Sequence, residues 1–471
     1  QPHSSAEGCL GEGGEEAGIR ARAIPGVAAP LSYGQHQLWL LQQLDPGLTS
    51  YNMVRAFEVD GELDAGALES SLRSLIARHA VLRTRFAQQD GEPVQIVQGD
   101  AVFNLVYETI NDAAQLEDKL RQAANHVFDL GAAPLLFARL YRRAPRRHIL
   151  VLGMHHIVSD GWSNALLMQD IAQGYRQALS GDRTAPPAAR VGYADYAIWQ
   201  REGMPGAELP AQLDYWERYL RDVPALALPD APARGLSAAG PTGARRRFRA
   251  PAELETALQA FCRNQGCTLF VACLAAWQVL LGRLDGQRDF AIGVPNAGRG
   301  RAELQNVVGF FVTMQVYRAR LRPELSWSAL CRQVRGDALA ALGRADTPLE
   351  LLLERRVGAS RQPGRHPLFQ VMFGLEMQAD QRGLELGGLD VKALPLDPVG
   401  SKAELSLDIV AGDGQLQGIL EYDTRLFDDE SAAALEAGYL QLLRAMVAAP
   451  AAPIGEAGLA GPEQLVLLRR L

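Results

Sequence analysis

The chain of 471 residues has few cysteines, no long apolar run and no strong positive charge. Five cysteines, an odd number, do not suggest a disulfide framework, and the N-terminus lacks a charged-then-apolar secretory signal. No run reaches the ~20 apolar residues of a membrane span. A net charge of −7 argues against a general nucleic-acid binder. These absences predict a cytoplasmic protein with neither nucleic acid nor membrane as a partner.

Motifs for nucleotides and metals are also missing. There is no Walker A and no GxGxxG after a strand, and Gly412-Asp413-Gly414 lies between two strand-like runs, which is typical of a hairpin turn. The nearby cysteines, at 262, 267 and 273, lie in a mostly apolar helical stretch instead of the tight CxxC pairs of zinc sites. We interpret them as small buried hydrophobes, and expect neither a bound cofactor nor a metal.

The length of the chain exceeds one ordinary core and predicts two lobes. Residues 1–29 lack a periodic apolar pattern and are expected to be a disordered linker. We expect an N-terminal lobe at 30–205, a C-terminal lobe at 206–448, and a second linker at 449–471. Strand and helix patterns alternate irregularly, which favours an α/β protein built from two mixed-sheet sandwiches.

Local patterns place several elements. Asp64, Ser163 and Asp428 each stand where an N-cap belongs, before a run with apolar residues at helical spacing, and another helix is expected to begin at Ser32. The runs PLLFARLYRR and RRHILVLGMHH predict a hairpin whose second strand is buried. The segment 295–306, PNAGRGRAELQN, is a loop long enough to be functional.

The stretch HHIVSDG, from His155 to Gly161, follows that buried strand. If the backbone stays extended, adjacent side chains point to opposite sides, so only one histidine can face a given channel. Histidine, with an ordinary pKa of about 6.5, accepts or donates a proton near neutrality. Asp160 can orient the loop or pair with an arginine, and Gly161 leaves room for a substrate. The spacing alone leaves open a purely structural role for these residues.

MHHIVSDGWS resembles the signature of condensation domains of non-ribosomal peptide synthetases, relatives of chloramphenicol acetyltransferase. Other blocks of the family occur in the expected order and span about residues 30 to 446: LSYGQHQLW, RHAVLRTRF, YADYAIWQ, IGVPNAGRGR, VGFFV, HPLFQVMF and LEYDTRLFD. The resemblance implies two acetyltransferase-like lobes arranged as a V with a substrate tunnel between them.

The resemblance also implies an acyltransferase activity. The acceptor amine of a carrier-bound aminoacyl thioester attacks a carrier-bound peptidyl, aminoacyl or acyl thioester and forms an amide. Both substrates arrive on phosphopantetheine arms of partner carriers, an upstream donor and a downstream acceptor domain. The tail at 449–471 is similar to the linker that leads into an adjacent adenylation domain.

In the family the second histidine is the functional one, here His156, either as a general base or as a group that positions the amine. His155 resembles its structural partner. Gly161 is expected to line the tunnel and to offer a backbone N–H near the developing oxyanion, and is counted with His156 as catalytic.

Asp160 resembles a structural residue that an arginine holds in place. Arg299, within the 295–306 loop that floors the channel in the family, is the first candidate partner, and Arg83 is the second.

Trp162, Ser163, Thr313 and Met314 are the expected tunnel or substrate residues. The usual FVNT reads FVTM here, which places Thr313 and Met314 in the last two positions. RADTPLE at 344–350 and GQHQLW in the first block also depart from the usual pattern. These departures concern substrate fit or carrier contacts, since HHIVSDG is intact.

Four alternatives share the fold. Epimerisation domains usually read VDGVSW after the histidines, where this chain reads SDGWS, and cyclising relatives replace the histidines with aspartates. Non-catalytic recruitment platforms tend to lose the second histidine. A starter domain that acylates the first amino acid stays open. The blocks lean toward an L-configured donor, although domains for D-donors carry nearly the same blocks.

Overall fold

The computed structural model describes residues 18–182, 189–202, 208–228, 243–284, 286–355, 366–377, 383–396, 401, 403–412 and 414–458. The strands are β1 (Ala28–Pro30), β2 (Asn52–Asp60), β3 (Thr84–Gln89), β4 (Glu92–Val97), β5 (Val106–Thr109), β6 (Leu136–Ala144), β7 (Arg147–His155), β8 (Gly243–Arg249), β9 (Asp289–Asn296), β10 (Thr313–Arg320), β11 (Val371–Met377), β12 (Asp390–Leu394), β13 (Leu405–Gly412) and β14 (Gln415–Asp423). The helices are α1 (Tyr33–Leu44), α2 (Ala65–Arg78), α3 (Ala113–Ala124), α4 (Gly161–Ser180), α5 (Tyr193–Glu202), α6 (Glu208–Tyr219), α7 (Ala252–Gln265), α8 (Leu269–Leu284), α9 (Trp327–Leu342), α10 (Leu349–Arg355) and α11 (Asp429–Ala448).

Two large mixed sheets organise the described residues. The N-terminal sheet has the order β12-β2-β7-β6-β5, and the C-terminal sheet has the order β10-β9-β11-β13-β14-β8. Strands β5 and β6 are parallel, as are β11 with β9 and β13, whereas the other pairs are antiparallel. A smaller sheet, β1-β4-β3, lies on the N-terminal side. The predicted α/β architecture of two mixed-sheet lobes is therefore confirmed, including the β6–β7 and β13–β14 hairpins.

The apolar patterns explain which elements form the core. β7 is buried along nearly its whole length because β2 and β6 flank it on both sides. Helix α8, apolar on nearly every side in sequence, is buried at twelve consecutive residues from Val271 to Gly282 in the C-terminal core. Within the described residues no single helix meets the length and apolarity of a membrane span. Only α7 and α8 together do so, as a pair bent by 105°.

The division of the chain at residue 205 does not divide the molecule in space. β12 pairs antiparallel with β2, so a strand from the predicted C-terminal lobe completes the N-terminal sheet. Leu384 and Leu386, just before it, are buried in the N-terminal core. Residues 229–242 lie outside the described residues, and Leu226 before them is buried. The C-terminal half therefore crosses to the other lobe and returns.

Residues 18–29 correct the prediction of a disordered linker. Ile19 is buried in the N-terminal core, and the backbone N–H groups of Arg22 and Ala23 donate to Asp195 Oδ1. Their few apolar residues gave no periodic signal because the partners lie far away in sequence. At the other end, Ile454 is buried and Arg283 donates to its carbonyl. Residues 1–17 and 459–471 of the two predicted linkers lie outside the described residues.

Two of the three predicted N-caps, Asp64 and Asp428, are confirmed, and the helix expected to begin at Ser32 begins one residue later, with Ser32 as its N-cap. Ser32, Asp64 and Asp428 each accept a hydrogen bond from a backbone N–H in the first turn of the following helix. The prediction for Ser163 is wrong, because α4 begins at Gly161 and its N-cap is Asp160. Asp160 Oδ1 lies 2.7 Å from the Ser163 nitrogen, so the aspartate caps the helix and the serine lies in its first turn.

Candidate functional site

The HHIVSDG turn is held at the end of the central strand of the N-terminal sheet. The His155 N–H donates to the Leu135 carbonyl at 3.2 Å, and the His156 N–H donates to the Tyr51 carbonyl at 2.9 Å. After His155 the chain makes one helical turn and enters α4 at Gly161. The extended backbone assumed for the pair thus ends at His155, but both histidines are fixed by neighbouring strands.

His155 belongs to the interior. Its side chain is 1% exposed, its Nδ1 accepts from the Ile157 N–H at 3.1 Å, and its ring meets the Phe128 ring edge-on. Burial lowers the pKa of His155 to about 4, because no water solvates a charged ring there. The ring is therefore neutral at pH 7, and its hydrogen is on Nε2 because Nδ1 accepts the Ile157 N–H. This environment suits a structural role.

His156 has a different environment. Its Nδ1 lies 2.7 Å from the Ser159 carbonyl oxygen. A carbonyl only accepts, so Nδ1 carries the hydrogen and the neutral ring has its lone pair on Nε2. The ring is half-buried and packs edge-on against Phe310, with centroids 4.9 Å apart. Phe310 lies in residues 297–312, which we call the bridging loop, and so His156 faces a segment from the C-terminal half of the chain.

The ion pair expected between Asp160 and Arg299 is present. Arg299 Nη2 lies 3.1 Å from Oδ1 and 3.3 Å from Oδ2 of Asp160, and the two side chains are 2% and 0% exposed. The Phe311 N–H also donates to Asp160 Oδ2 at 3.0 Å. Arg299 Nη1 donates to the Leu304 and Val307 carbonyls, both at 2.6 Å. The pair therefore fixes the bridging loop on the start of α4, with both charges hydrogen-bonded.

Ser163 takes part in this bridge and does not face an open surface. Its Oγ accepts from Arg299 Nη2 at 2.7 Å and from the Gly309 N–H at 3.0 Å, and its side chain is fully buried. The expectation that Ser163 faces a substrate is therefore not met in the structure. Trp162, in contrast, is 41% exposed, and its indole N–H donates to the Gln305 carbonyl.

Tyr193 is a positioning residue that the sequence alone did not single out. Its hydroxyl donates to the Phe310 carbonyl and lies 2.8 Å from Ser32 Oγ, which ties the bridging loop to α1 and α5. A Cβ at Gly309 would lie 1.9 Å from Tyr193 Cδ2, so only glycine allows this approach. Tyr193 lies in the YADYAIWQ block, and its position in that block was the available signal.

Arg83, the second candidate partner of Asp160, is not its partner. Its guanidinium donates to the Ile76, Ala77 and Gly99 carbonyls, which ties α2 to the loop after β4. The prediction for Arg83 is wrong. Any arginine can in principle pair with an aspartate, and only the fold places Arg299 beside Asp160.

Thr313 and Met314 begin β10, opposite Asn296 and Pro295 of β9. Thr313 Oγ1 lies 3.4 Å from the Ala345 carbonyl, and Met314 packs partly against the C-terminal core. Both are half-buried.

A cavity of about 470 Å³ lies where Trp162 meets the C-terminal sheet and helices. Its lining includes Trp162, Arg299, Arg344 and Asp346. Beside it, Gly161 is exposed, and a Cβ built there would meet no atom within 4 Å. The start of α4 therefore borders open space, while the turn before it and the ion pair behind it are packed.

Two mixed-sheet α/β lobes, with a histidine pair at the end of a central strand, define a chloramphenicol acetyltransferase-like fold. Solved condensation domains share it, including the first condensation domain of the calcium-dependent antibiotic synthetase with substrate analogue 3a (TM-score 0.76, 23% identity, 93% of this chain and 100% of that one). The complex of the X-domain and OxyB from teicoplanin biosynthesis matches with a TM-score of 0.85 at 23% identity over 95% of this chain and 99% of that one.

The family follows from the sequence comparisons. The model described as "Condensation domain" matches residues 27–467, and the chain belongs to this family. It is 35% identical over 443 residues to Chondramide synthase cmdD of Chondromyces crocatus and 34% identical over 436 residues to Tyrocidine synthase 3 of Brevibacillus parabrevis. These matches cover 92% of this chain in each case but only 11% and 7% of the two synthases. The resemblance noted from the motifs is thus confirmed.

Replacing Asp160 with Asn should destabilise the fold strongly. The change leaves the Arg299 charge buried without its counter-charge, and breaking such a pair costs about 3–5 kcal/mol of unfolding free energy. Urea denaturation measures this loss. Asp170→Asn on the same helix is the matched control, since Asp170 pairs with Arg78 and His79 but is 15% exposed, and its change should cost less. An Asp160→Asn loss no greater than the control would contradict the role.

Protonation of His155 should make the free energy of unfolding depend on pH. Its folded-state pKa of about 4 lies below the ordinary value of about 6.5, so the stabilisation it contributes is complete above pH 6.5 and is lost as the pH falls toward 4. The slope due to this group reaches about 1.4 kcal/mol per pH unit. Urea denaturation of His155→Asn, which keeps an acceptor for the Ile157 N–H, should show a flatter slope there. In this variant His366, whose pKa is also lowered to about 4, should still contribute its own part of the pH dependence. An unchanged slope in the variant would refute the assignment.

Proposed function

We propose that this chain joins a carrier-bound donor thioester to the amine of a carrier-bound acceptor. The acceptor nitrogen forms a bond to the donor carbonyl carbon, the carbon–sulfur bond breaks, and the donor carrier leaves as a free thiol. The observation that carries the proposal is His156, whose Nδ1 is held by the Ser159 carbonyl so that Nε2 bears the lone pair beside the bridging loop.

His156 Nε2 is suited to the proton of the attacking amine. As a general base it would take that proton, and as a positioning group it would accept a hydrogen bond and align the nitrogen. A lone pair on Nε2 is compatible with either role. His155, neutral and buried, contributes by fixing the turn and does not contact the reacting atoms.

The start of α4 suits the negative charge that develops on the thioester oxygen. Gly161 and Trp162 occupy its first two positions, where N–H groups have no partner within the helix. The helix dipole adds positive potential at the same end. Because a Cβ at Gly161 would meet nothing, a thioester has room to approach these donors.

Both substrates would arrive tethered to phosphopantetheine arms of upstream and downstream peptidyl carrier domains. Holding two tethered reactants in line can supply ~7–11 kcal/mol of the barrier without further chemistry from the protein. The rigid bridge of Asp160, Arg299 and Ser163 fits this task, since it fixes the two halves of the site relative to each other. An adjacent adenylation domain completes the expected partners.

Three other functions of the family remain as alternatives. A starter domain would use an acyl donor, an epimerisation domain would invert a carrier-bound residue, and a recruitment platform would catalyse nothing. The intact His156 and the SDGWS sequence favour condensation over the last two. For the donor, an L-configured residue stays our prediction.

The test is amide formation between loaded carriers, followed by intact-mass spectrometry. Donor carriers bearing L-dipeptidyl, D-dipeptidyl and fatty-acyl groups compete in one pot for an aminoacyl acceptor carrier. We expect mass transfer to the acceptor, with the L-donor product dominant at early times. An early D-donor product would overturn the donor prediction, and an acyl product would support the starter function.

His156→Ala is the decisive variant in this assay. Loss of a positioned acid–base group should lower the rate about 10²-fold or more, with the thermal midpoint near wild type. His155→Asn is the matched control and should mainly lower stability. Equal rate losses from both variants without change in stability would contradict the assignment, and no transfer by the wild type from any donor would favour a recruitment platform.

Gly161 gives an independent prediction. Gly161→Ala should fold normally, because its Cβ meets no atom, and Gly161→Leu should also stay folded. Both variants narrow the space before the α4 N-terminus, so amide formation should fall, and more in the leucine variant. Equal thermal midpoints with graded rates would support the substrate path, whereas wild-type rates in Gly161→Leu would place the thioester elsewhere.

A further inference from the structure

Three thiols meet where α7, α8 and α9 pack together. Helix α7 ends with Gly266 in the left-handed conformation, and the Cys267 N–H donates to the Cys262 carbonyl at 3.0 Å. Together with the Gly266 N–H bond to the Arg263 carbonyl, this is a Schellman motif. The motif brings together the side chains of the fourth-last residue of the helix and of the residue after the glycine. In this chain both of those residues are cysteines.

A third cysteine comes from α9. Cys262 and Cys331 both lie close enough to Cys267 to shift the pKa of its thiol. Cys262 and Cys331 are 8% and 1% exposed, whereas Cys267 is half-buried. All three are free thiols. Cys267 is therefore the one residue of the three that is partly exposed, and the other two are buried beside it.

The surroundings of Cys267 favour its thiolate. Thr268, the next residue, accepts from the Val271 N–H and directly precedes the 16-residue helix α8, so Cys267 lies near the positive end of that helix. Arg335, one turn after Cys331 on α9, donates to the Gly266 carbonyl at 2.8 Å. Hydrogen bonds from Cys262 and Cys331, aided by Arg335, lower the pKa of Cys267.

Metal binding is the other use of clustered thiols. Among the described residues no group of three or more His, Cys, Asp or Glu side chains is arranged to hold a metal ion. A reachable thiolate with a second thiol in contact is the arrangement of thiols that oxidise reversibly to a disulfide.

We propose that Cys267 is a thiol-oxidation site, which reacts with a hydroperoxide and then forms a disulfide with Cys262. The Cys267 sulfur attacks the peroxide oxygen, the O–O bond breaks, and the leaving oxygen takes a proton to give an alcohol or water. The Cys262 sulfur then attacks the oxidised sulfur, and hydroxide leaves with the Cys262 proton as water. Two thiols and one hydroperoxide thus give one disulfide, one alcohol or water, and one further water.

Cys262 is the partner because the backbone holds it in place. Its carbonyl accepts the Cys267 N–H, so the two residues approach each other even when their side chains rotate. Cys331 contacts Cys267 only through packing of α9. In the reaction Cys331 is the donor that keeps the Cys267 thiolate stable.

Tryptic mapping of the full chain, treated with hydrogen peroxide and then alkylated, tests the pairing. Arg263 separates Cys262 from Cys267, and Arg332 follows Cys331. We expect peptide 250–263 linked to 264–283, with fragmentation that places the bridge on Cys267 instead of Cys273. Cys267→Ser should abolish this product. A link from 264–283 to 321–332 would overturn the pairing, and no link at all would overturn the site.

Alkylation rates test the thiolate without any oxidation. Near pH 6, iodoacetamide should label Cys267 about tenfold or more faster than it labels glutathione. Arg335→Gln should slow this labelling severalfold, whereas Arg332→Gln, the matched change at a neighbouring exposed position of α9, should not. Labelling at the glutathione rate would refute the reactive site. Equal slowing by both arginine variants would refute the role of Arg335.

Discussion

The buried ion pair between Asp160 and Arg299 is the constraint on which the site depends. Burying two charges requires that they lie close together and that most of their other donors and acceptors are hydrogen-bonded, as all but Arg299 Nε are in this pair. The second requirement fixes the path of the bridging loop, because Arg299 must also reach the Leu304 and Val307 carbonyls. The same carboxylate caps α4 and so sets where that helix starts. The start of α4, the path of the bridging loop and the contact between the lobes therefore all depend on the Asp160 side chain.

Two adjacent histidines acquire opposite properties from this arrangement. The interior one loses the ability to carry charge near neutrality, because it has no water around it. The other keeps a lone pair directed away from the turn, because the Ser159 carbonyl holds its hydrogen on the opposite nitrogen. The difference arises from backbone position and not from residue type. A strand that ends in one helical turn is sufficient to separate the two roles.

The features that sequence patterns predicted well are local. The hairpin that ends at His155 and the caps at Asp64 and Asp428 depend on neighbours within a few residues. Ser163 was misassigned because Asp160, three residues earlier, is the stronger competitor for the same helix end. The family resemblance, rather than any pattern in the residues, pointed to a pair 139 residues apart.

The features that sequence patterns missed are contacts between distant segments. Residues 18–29 were expected to be disordered because their anchor, Asp195, lies about 170 residues away. The approach of Gly309 to Tyr193 and the crossing of β12 to β2 involve residues that nothing local distinguishes. Neither the period of a helix nor that of a strand carries information on which distant surface it meets. Such contacts were open to prediction only through the family blocks.

The pairing of β12 with β2 has a topological consequence. The polypeptide leaves the first lobe after α5, builds most of the second, returns to add an edge strand to the first sheet, and goes back to finish the second with β13, β14 and α11. The two lobes are therefore not consecutive domains joined by a single linker. A gene cut between the lobes would leave the first fragment without the edge strand of its own sheet.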